Sequence, residues 1–402
     1  MGWTFFSKVK KIFTVALIIP AIRLFWNGVR FFSKQNKQII LFFHTEKVFY
    51  DNSKLLFEFL IAKGDNNSFL LLKNRKLYLS LQEKYPNRVF YTKSIQGFNL
   101  FRKSPNIVIS YGTSAIEFFP YYLNAKKQNI IYLGHGIPMK KIGRQVARWS
   151  SPFFEKLLQS YTYATCNSLL ERFVLASSFK LLVDNVWITG TPRSDKLFSS
   201  RPKVNPLESV IPFPDSKVVL YAPTWRELGN STGFFPFPDF DANKLLHYLE
   251  SKNIVILLRG HKEEIKNAGG RFSGSKFQHK RIVAANQDVF PDVVDILPFV
   301  DILVTDYSGM YFDFLPFNRP VIFIPYDLNE YNKYKGLLFP YNEYMIGEKV
   351  LTQSDFIAAL EKGILEPEKD AERRMEIMKL FYNHRDTNSC ERIYEKIKNI
   401  SS

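Results

Sequence analysis

Five short polar clusters interrupt this apolar-rich chain, and each carries residue types suited to proton or phosphate chemistry. They are Gly134-His135-Gly136-Ile137-Pro138-Met139-Lys140-Lys141-Ile142-Gly143, Thr189-Gly190-Thr191-Pro192-Arg193-Ser194-Asp195, Tyr221-Ala222-Pro223-Thr224-Trp225-Arg226, Leu258-Arg259-Gly260-His261-Lys262, and Thr305-Asp306-Tyr307-Ser308-Gly309 with Asp313. His135 stands between two glycines on a turn with little side-chain cover, and a neutral imidazole is the best general base near neutral pH. Its loop also brings Lys140 and Lys141, a source of positive potential. His261 lies between Arg259 and Lys262, cations that suit it to a developing phosphate charge better than to proton abstraction. Arg193 follows a Gly-x-Pro at a predicted helix start and offers a planar fork to a phosphate.

Pro223-Thr224 and Ser308-Gly309 supply hydroxyls and free amides for phosphate or ribose oxygens. The run from Val304 to Phe314 predicts a strand opening into a helix, whose first amides and positive dipole end make a seat for phosphate. Gly309 lets a ligand approach the backbone there. Asp313, one turn further, can accept hydrogen bonds from a sugar or polyol. Each residue also has a plainer reading. Ser308 is an ordinary helix cap, His135 and His261 are loop histidines, Arg193 is an ion-pair partner, and the loop lysines are solvated. His44 is expected at the edge of the core, and His247, His279 and His384 have no chemical company. The chain has no suitably placed Asp-x-Asp, no Walker loop and no Gly-x-Gly-x-x-Gly, which counts against metal-held nucleotide sugars, ATP and dinucleotides.

To bring such clusters together, the chain needs elements that end where they begin. Apolar runs at Gln38–Phe43, Ser68–Leu72, Arg88–Thr92, Asn106–Ser110, Asn129–Leu133, Tyr161–Cys166 and Val186–Thr189 read as buried parallel strands separated by helix-length spacers. A second series follows at Lys217–Ala222, Asn253–Leu258, Arg281–Ala285, Ile302–Thr305 and Val321–Pro325, with a crossover helix at 241–251 headed by Asp241. Between the series, residues 198–216 contain Pro202, Pro206, Pro212 and Pro214 and read as a linker. The expected fold class is therefore α/β, with two doubly wound domains in tandem, residues 38–197 and 217–366, and charged helices at 367–402. Ligands collect at the carboxyl ends of such strands. A cleft between the domains would gather all five clusters.

With 402 residues, two domains of ordinary size are the natural reading. The 55 Lys and Arg against 38 Asp and Glu leave a formal charge of +17, which attracts a polyanion. Residues 1–37 narrow the choice: seven basic residues, no acidic ones and eight Trp or Phe are interleaved there. Pro20 and Arg23 break the most apolar run, Ile12 to Trp26, short of the ~20 uncharged residues of a spanning helix. An amphipathic segment lying on an anionic membrane is expected, anchored by Trp3, Phe5, Phe6, Phe25 and Trp26; a helix packed on its own domain is the alternative. Cys166 and Cys390, far apart and without metal-ligand spacing, fit a reducing compartment.

Together the clusters resemble the CDP-glycerol glycerophosphotransferase family of teichoic-acid and related capsule enzymes, in that family's order, from about Asn129 to Asp386. The most specific matches are His-Gly-x-Pro-x-Lys at His135 to Lys140, Gly-x-Pro-Arg-x-Asp at Gly190 to Asp195, Tyr-Ala-Pro-Thr-Trp-Arg at Tyr221 to Arg226, and Thr-Asp-Tyr-Ser with Phe-Asp-Phe at Thr305 to Phe314. The resemblance implies a glycosyltransferase B-like pair of domains, peripheral attachment to the cytoplasmic face of the membrane, and transfer of glycerol or ribitol phosphate from a CDP-polyol with release of CMP. The acceptor is expected to be lipid-linked or a polyol-phosphate polymer. It further implies His135 as base, His261 as a charge-stabilising catalytic residue, and a donor site lined by Gly134, Gly136, Ile137, Pro138, Arg193, Pro223, Thr224, Arg259, Gly260, Ser308, Gly309 and Asp313. No cofactor beyond the substrate is expected. Two positions depart from the family pattern: Gly309 stands where a second Ser is usual, and Ile137 where Thr is common. Many polymerising relatives carry an additional N-terminal domain that is not read in this chain, and limited addition is the expectation. The rival readings are a transferase of the same fold using a nucleotide sugar, and a basic nucleic-acid or lipid binder without catalysis. The latter leaves the strand-end histidines unexplained and shows no nucleic-acid module.

Overall fold

Runs of four or five apolar residues without polar alternation need cover on both faces, and a parallel sheet sandwiched by helices provides it. In the computed structural model, which describes residues 36–111, 128–146, 160–224, 233–260, 265 and 280–401, these runs form two such sheets. The first, in the order β3-β2-β1-β4-β5-β6-β7, comprises β1 Ile40–His44, β2 Ser68–Leu72, β3 Val89–Tyr91, β4 Asn106–Ile109, β5 Asn129–Tyr132, β6 Tyr163–Cys166 and β7 Val186–Ile188. The second, β10-β9-β8-β11-β12-β13, comprises β8 Lys217–Tyr221, β9 Ile254–Leu258, β10 Ile282–Ala284, β11 Ile302–Thr305, β12 Val321–Phe323 and β13 Glu348–Lys349. Every pairing in both is parallel. Each sheet reverses its winding beside its first strand, at β1/β4 and at β8/β11, which opens a crevice at those carboxyl ends.

Successive residues of β1 serve opposite faces, as the pleat demands. Leu41 and Phe43 join Ile107, Ile109 and Ile130 on one side, while Ile40 and Phe42 join Leu70, Val108 and Ile131 on the other. The second sheet divides in the same way, with Val219, Tyr221 and Ile256 against Val218, Leu220 and Leu257. The expected crossover helix is Ala242–Ser251, capped by Asp241, whose carboxylate accepts from the Lys244 amide at 3.0 Å.

Two connections differ from their sequence reading. The Pro-rich stretch 198–216 holds a short 3-10 turn, Pro206–Ser209, and its Leu207 is buried in the second domain's core, so this connection packs rather than merely linking. The C-terminal helices are shared between the domains. Helix Ala371–Phe381 sends Ile377, Met378 and Phe381 into the second core, whereas Ser389–Ser401 returns to the first and buries Ile393 and Ile397 beside β1 and β2. The basic aromatic segment at 1–37 falls, but for its last two residues, outside the described residues. Among the described residues no helix is long and apolar enough to cross a membrane.

Candidate active site

The turn after β5 is possible because Gly134 and Gly136 adopt φ of +69° and +121°, regions that side-chain-bearing residues rarely enter. Gly136 also needs its missing Cβ for space, since a methyl there would stand 3.2 Å from an Arg193 nitrogen. Between them the His135 ring is exposed to the cleft and stacks on Tyr111 with centroids 5.4 Å apart. Its Nδ1 faces the Ser110 carbonyl at 3.4 Å; a proton there leaves Nε2 as the acceptor. Protein crowding lowers the imidazole pKa from its ordinary value, opposed by the negative charge of Asp51. A neutral ring at pH 7 is the form a general base requires.

Arg193 binds the two halves of the site together. One terminal nitrogen donates to the His135 carbonyl at 2.7 Å, and the other meets Asp313 Oδ2 of the second domain at 3.0 Å. Asp51 lies 3.6 Å from the first of these nitrogens. Burial opposes the guanidinium charge, but Asp313 and Asp51 outweigh it and hold Arg193 firmly protonated. Burial in turn lifts the Asp313 carboxyl to about 6, with Arg193 pulling the other way and Asp51 and Asp292 adding to the rise. Two buried atoms here, Arg193 Nε and Asp313 Oδ1, have no hydrogen-bond partner among the described residues.

The His135 loop then leaves its own domain. Ile137 and Met139 are buried in the second domain's core. Met139 accepts from the Leu338 amide at 2.9 Å, Lys141 donates to Gly336 at 3.1 Å, and Lys140 bridges antiparallel to Leu337. The loop is therefore a cross-domain clasp. It borders a cavity of about 580 Å³ whose wall includes His135, Arg193, Ser308, Gly309 and Asp313, together with the cationic Lys140, Lys141, Arg259 and Lys335.

Of the residues expected at the site, Gly134, His135, Gly136, Ile137, Pro138, Arg193, Arg259, Ser308, Gly309 and Asp313 all line this cavity. Pro223, Thr224 and Gly260 do not; the Thr224 amide instead donates to Asp306, which ties the turn after β8 to the turn after β11. His261 lies outside the described residues. The fork of Arg193, expected to bind phosphate, here bonds Asp313 and the His135 carbonyl. The expected phosphate seat on a helix end is also reduced. Helix Met310–Phe314 is only five residues long, so its dipole is small, and its first amide donates to Ser308 Oγ at 3.3 Å. Arg259 gives two hydrogen bonds to the Ala285 and Phe290 carbonyls, which fixes it at the cavity wall. His44 is buried, bonded to the Val48 carbonyl at 2.7 Å, and burial lowers its pKa to about 4, as suits a core-edge histidine. Among the described residues no group of three or more His, Cys, Asp or Glu is placed to hold a metal ion.

Three residues at the site escaped the sequence reading. Asn52 is fully buried, donates to the Leu133 and Gly134 carbonyls at 3.2 and 2.9 Å, and accepts from the Arg193 amide at 2.8 Å. One amide side chain thus sets both the His135 turn and the start of helix Pro192–Leu197. Asp51, at φ +63°, directs its carboxylate to Arg193 and Tyr111. Tyr111 supplies the face on which His135 rests. Asp51 and Asn52 open the first helix after β1, and Tyr111 follows β4, so all three sit at the switch point of the first sheet. That position was the available signal.

The family described as CDP-glycerol:poly(glycerophosphate) glycerophosphotransferase matches residues 25–399. A teichoic acid ribitol-phosphate polymerase, TarL, of Staphylococcus aureus is 29% identical over 279 residues, 68% of this chain and 48% of the relative. A teichoic acid glycerol-phosphate transferase of the same organism is 28% identical over 381 residues, 90% of this chain and 93% of the relative. The chain thus spans about half the length of the first relative and nearly all of the second. The solved structure of the wall teichoic acid polymerase TagF superposes with a TM-score of 0.72 at 21% identity, covering 99% of this chain and 97% of that one, a likeness of fold.

Proposed function

The chain belongs to the CDP-glycerol:poly(glycerophosphate) glycerophosphotransferase family, and from that premise we propose that it transfers glycerol phosphate or ribitol phosphate from a CDP-polyol to a hydroxyl of a lipid-linked or polymer acceptor, releasing CMP, in the synthesis of teichoic acid or a capsular polymer. The two parallel-sheet domains then act as a glycosyltransferase B-like pair, with the acceptor on the first and the donor on the second. One observation carries the reading: His135 and Asp313, from different domains, meet across one cavity through a single guanidinium.

In this mechanism the acceptor oxygen forms a bond to the phosphorus that bears the polyol. The bond from that phosphorus to the bridging oxygen breaks, and CMP leaves with the electron pair. His135 Nε2 takes the acceptor proton. Lys140, Lys141, Arg259 and Lys335 face the pyrophosphate, and His261, next along from Arg259 and Gly260, adds to the field on the leaving side. Asp313 Oδ1, buried and without a partner, accepts from a polyol hydroxyl. Positioning and charge stabilisation provide most of the rate, as in other phosphoryl transfers; the base contributes about 10²–10⁴-fold.

The basic aromatic segment at 1–37 supports a peripheral place on the cytoplasmic face of the membrane, where a lipid-linked acceptor is concentrated in two dimensions. The test is incubation of the purified full chain with a lipid-linked acceptor and a panel of CDP-glycerol, CDP-ribitol and UDP-, GDP- and CMP-sugars. CMP release with a mass increase of one polyol phosphate is expected. Release of UDP or GDP would overturn the assignment.

A further inference from the structure

On its first-domain side the same cavity is walled by Tyr132 and Thr165 at the ends of β5 and β6, and by Tyr161, Glu171, Leu175 and Phe179. Tyr132, Tyr161 and Phe179 form an aromatic trio, with ring centroids 5.4, 5.3 and 5.1 Å apart. Glu171 is the group that the transfer chemistry leaves unused. It lies in the first turn of helix Leu169–Phe179 and is 3% exposed. Asn167 donates to its Oε2 through the backbone amide at 2.7 Å and the side chain at 3.0 Å, whereas Oε1 receives no hydrogen bond from the described residues.

No cation among the described residues pairs with this carboxyl, and burial raises its pKa to about 7 despite the two Asn167 donors. None of these six residues is cationic; the first-domain cations of the cavity are Lys140 and Lys141 on the His135 loop and Arg193, which pairs with Asp313. Aromatic faces that can cover C–H surface, beside a carboxyl with a spare oxygen, suit a neutral group rich in hydroxyls. We propose that this chamber is the subsite for the hydroxyl-bearing end of the acceptor, a polyol or sugar ring, and that Glu171 is its hydrogen-bonding group. The identity of that ligand rests on the transfer reading above. His135 lines the same cavity, so a hydroxyl seated there is offered to the base.

The titratable groups around Glu171 are Asp313 from the second domain, Tyr132 of β5, Cys166 of β6 and Tyr382 beyond helix Ala371–Phe381, with Arg193 on the far side of Asp313. As pH rises above about 7, Glu171 gains a charge. It then loses its donor proton and repels an acceptor that carries phosphodiesters, so acceptor affinity falls.

The test is calorimetric titration of the full chain with a soluble octyl-linked glycerol-phosphate dimer and, separately, with CDP-glycerol. Glu171→Ala should weaken the dimer by about 10-fold or more, a loss of one hydrogen-bonded contact, and leave CDP-glycerol binding unchanged. Glu171→Gln keeps an acceptor for Asn167 and should bind the dimer within about 3-fold of wild type at pH 6, with no decline toward pH 8. Wild-type dimer affinity in Glu171→Ala, or an equal loss of CDP-glycerol, would overturn the assignment; so would a wild-type decline with pH in Glu171→Gln, which decides the matter if Glu171→Ala does not fold. Dimer binding as expected, with no CMP released from any CDP-polyol, would leave the subsite standing and refute the transfer reading instead.

Discussion

A Cβ added to Gly309 would stand 2.6 Å from the carbonyl oxygen of Ile137. Gly309 itself has φ −60°, an ordinary helical value, so the contact alone requires glycine. The neighbour is backbone, and it belongs to the loop that carries His135. The serine usual at this position in the family does not fit unless that loop withdraws. Gly309→Ser is expected to cost about 1–3 kcal/mol of stability, as overpacking does, and to lower turnover because His135 moves with its loop. Calorimetric melting and steady-state rates of the same preparation check this; an unchanged melt and rate would show that the clasp yields freely.

Arg193 joins two buried carboxylates and the His135 turn. Arg193→Ala leaves Asp313 and Asp51 without their counter-charge, and removing one partner of a buried pair costs about 3–5 kcal/mol. Asp313→Asn should cost less, because the amide leaves no uncompensated buried carboxylate and Arg193 keeps Asp51 and the His135 carbonyl as partners. Urea denaturation of the two variants should rank them in that order.

The contribution of Asp313 and Glu171 to stability should fall as pH rises through weakly acidic values, opposed by buried His44, whose pKa is lowered to about 4. Asp313 and Glu171 have native pKa values raised from 3.8 to about 6 and from 4.5 to about 7. At these two groups the native state therefore binds more protons than the unfolded chain between about pH 4 and pH 7. Their contribution is complete below the unfolded values and is lost as pH passes the native ones. Glu171→Gln should flatten the upper part of this decline in urea midpoints measured from pH 4 to 8.

His135 must be neutral to act as base, and its native pKa is lowered. The transfer rate should rise with pH through an apparent pKa below the ordinary 6.5. His135→Ala should abolish CMP release while CDP-glycerol binding, followed by calorimetry, stays near wild type. An active His135→Ala enzyme would remove the residue from the mechanism.

Deletion of residues 1–33 should release the protein from vesicles containing anionic lipid, as measured by flotation, and the binding of the full chain should weaken with added salt. Full recovery of the deleted protein with the vesicles would place membrane affinity elsewhere in the chain.

Strand periodicity made most of the fold legible. A buried parallel strand is written in four or five consecutive residues, and all twelve expected runs, from Gln38–Phe43 to Val321–Pro325, overlap a strand in the structure. The edge strand β13, only two residues long, left too short a pattern to read. The motifs likewise marked His135, Arg193, Ser308 and Asp313, because glycine-flanked polar groups at strand ends depend on local chemistry.

The amino-acid sequence by itself determined two parallel-sheet domains, the family, and most of the strand-end residues that line the cavity between them. Only the tertiary structure decided that Arg193 spends its fork on Asp313 and the His135 carbonyl, that Asn52 sets two turns at once, and that the His135 loop is clasped by residues 336–338. These contacts join residues 58 to 199 positions apart, and their energy depends on burial and direction, which no local pattern encodes.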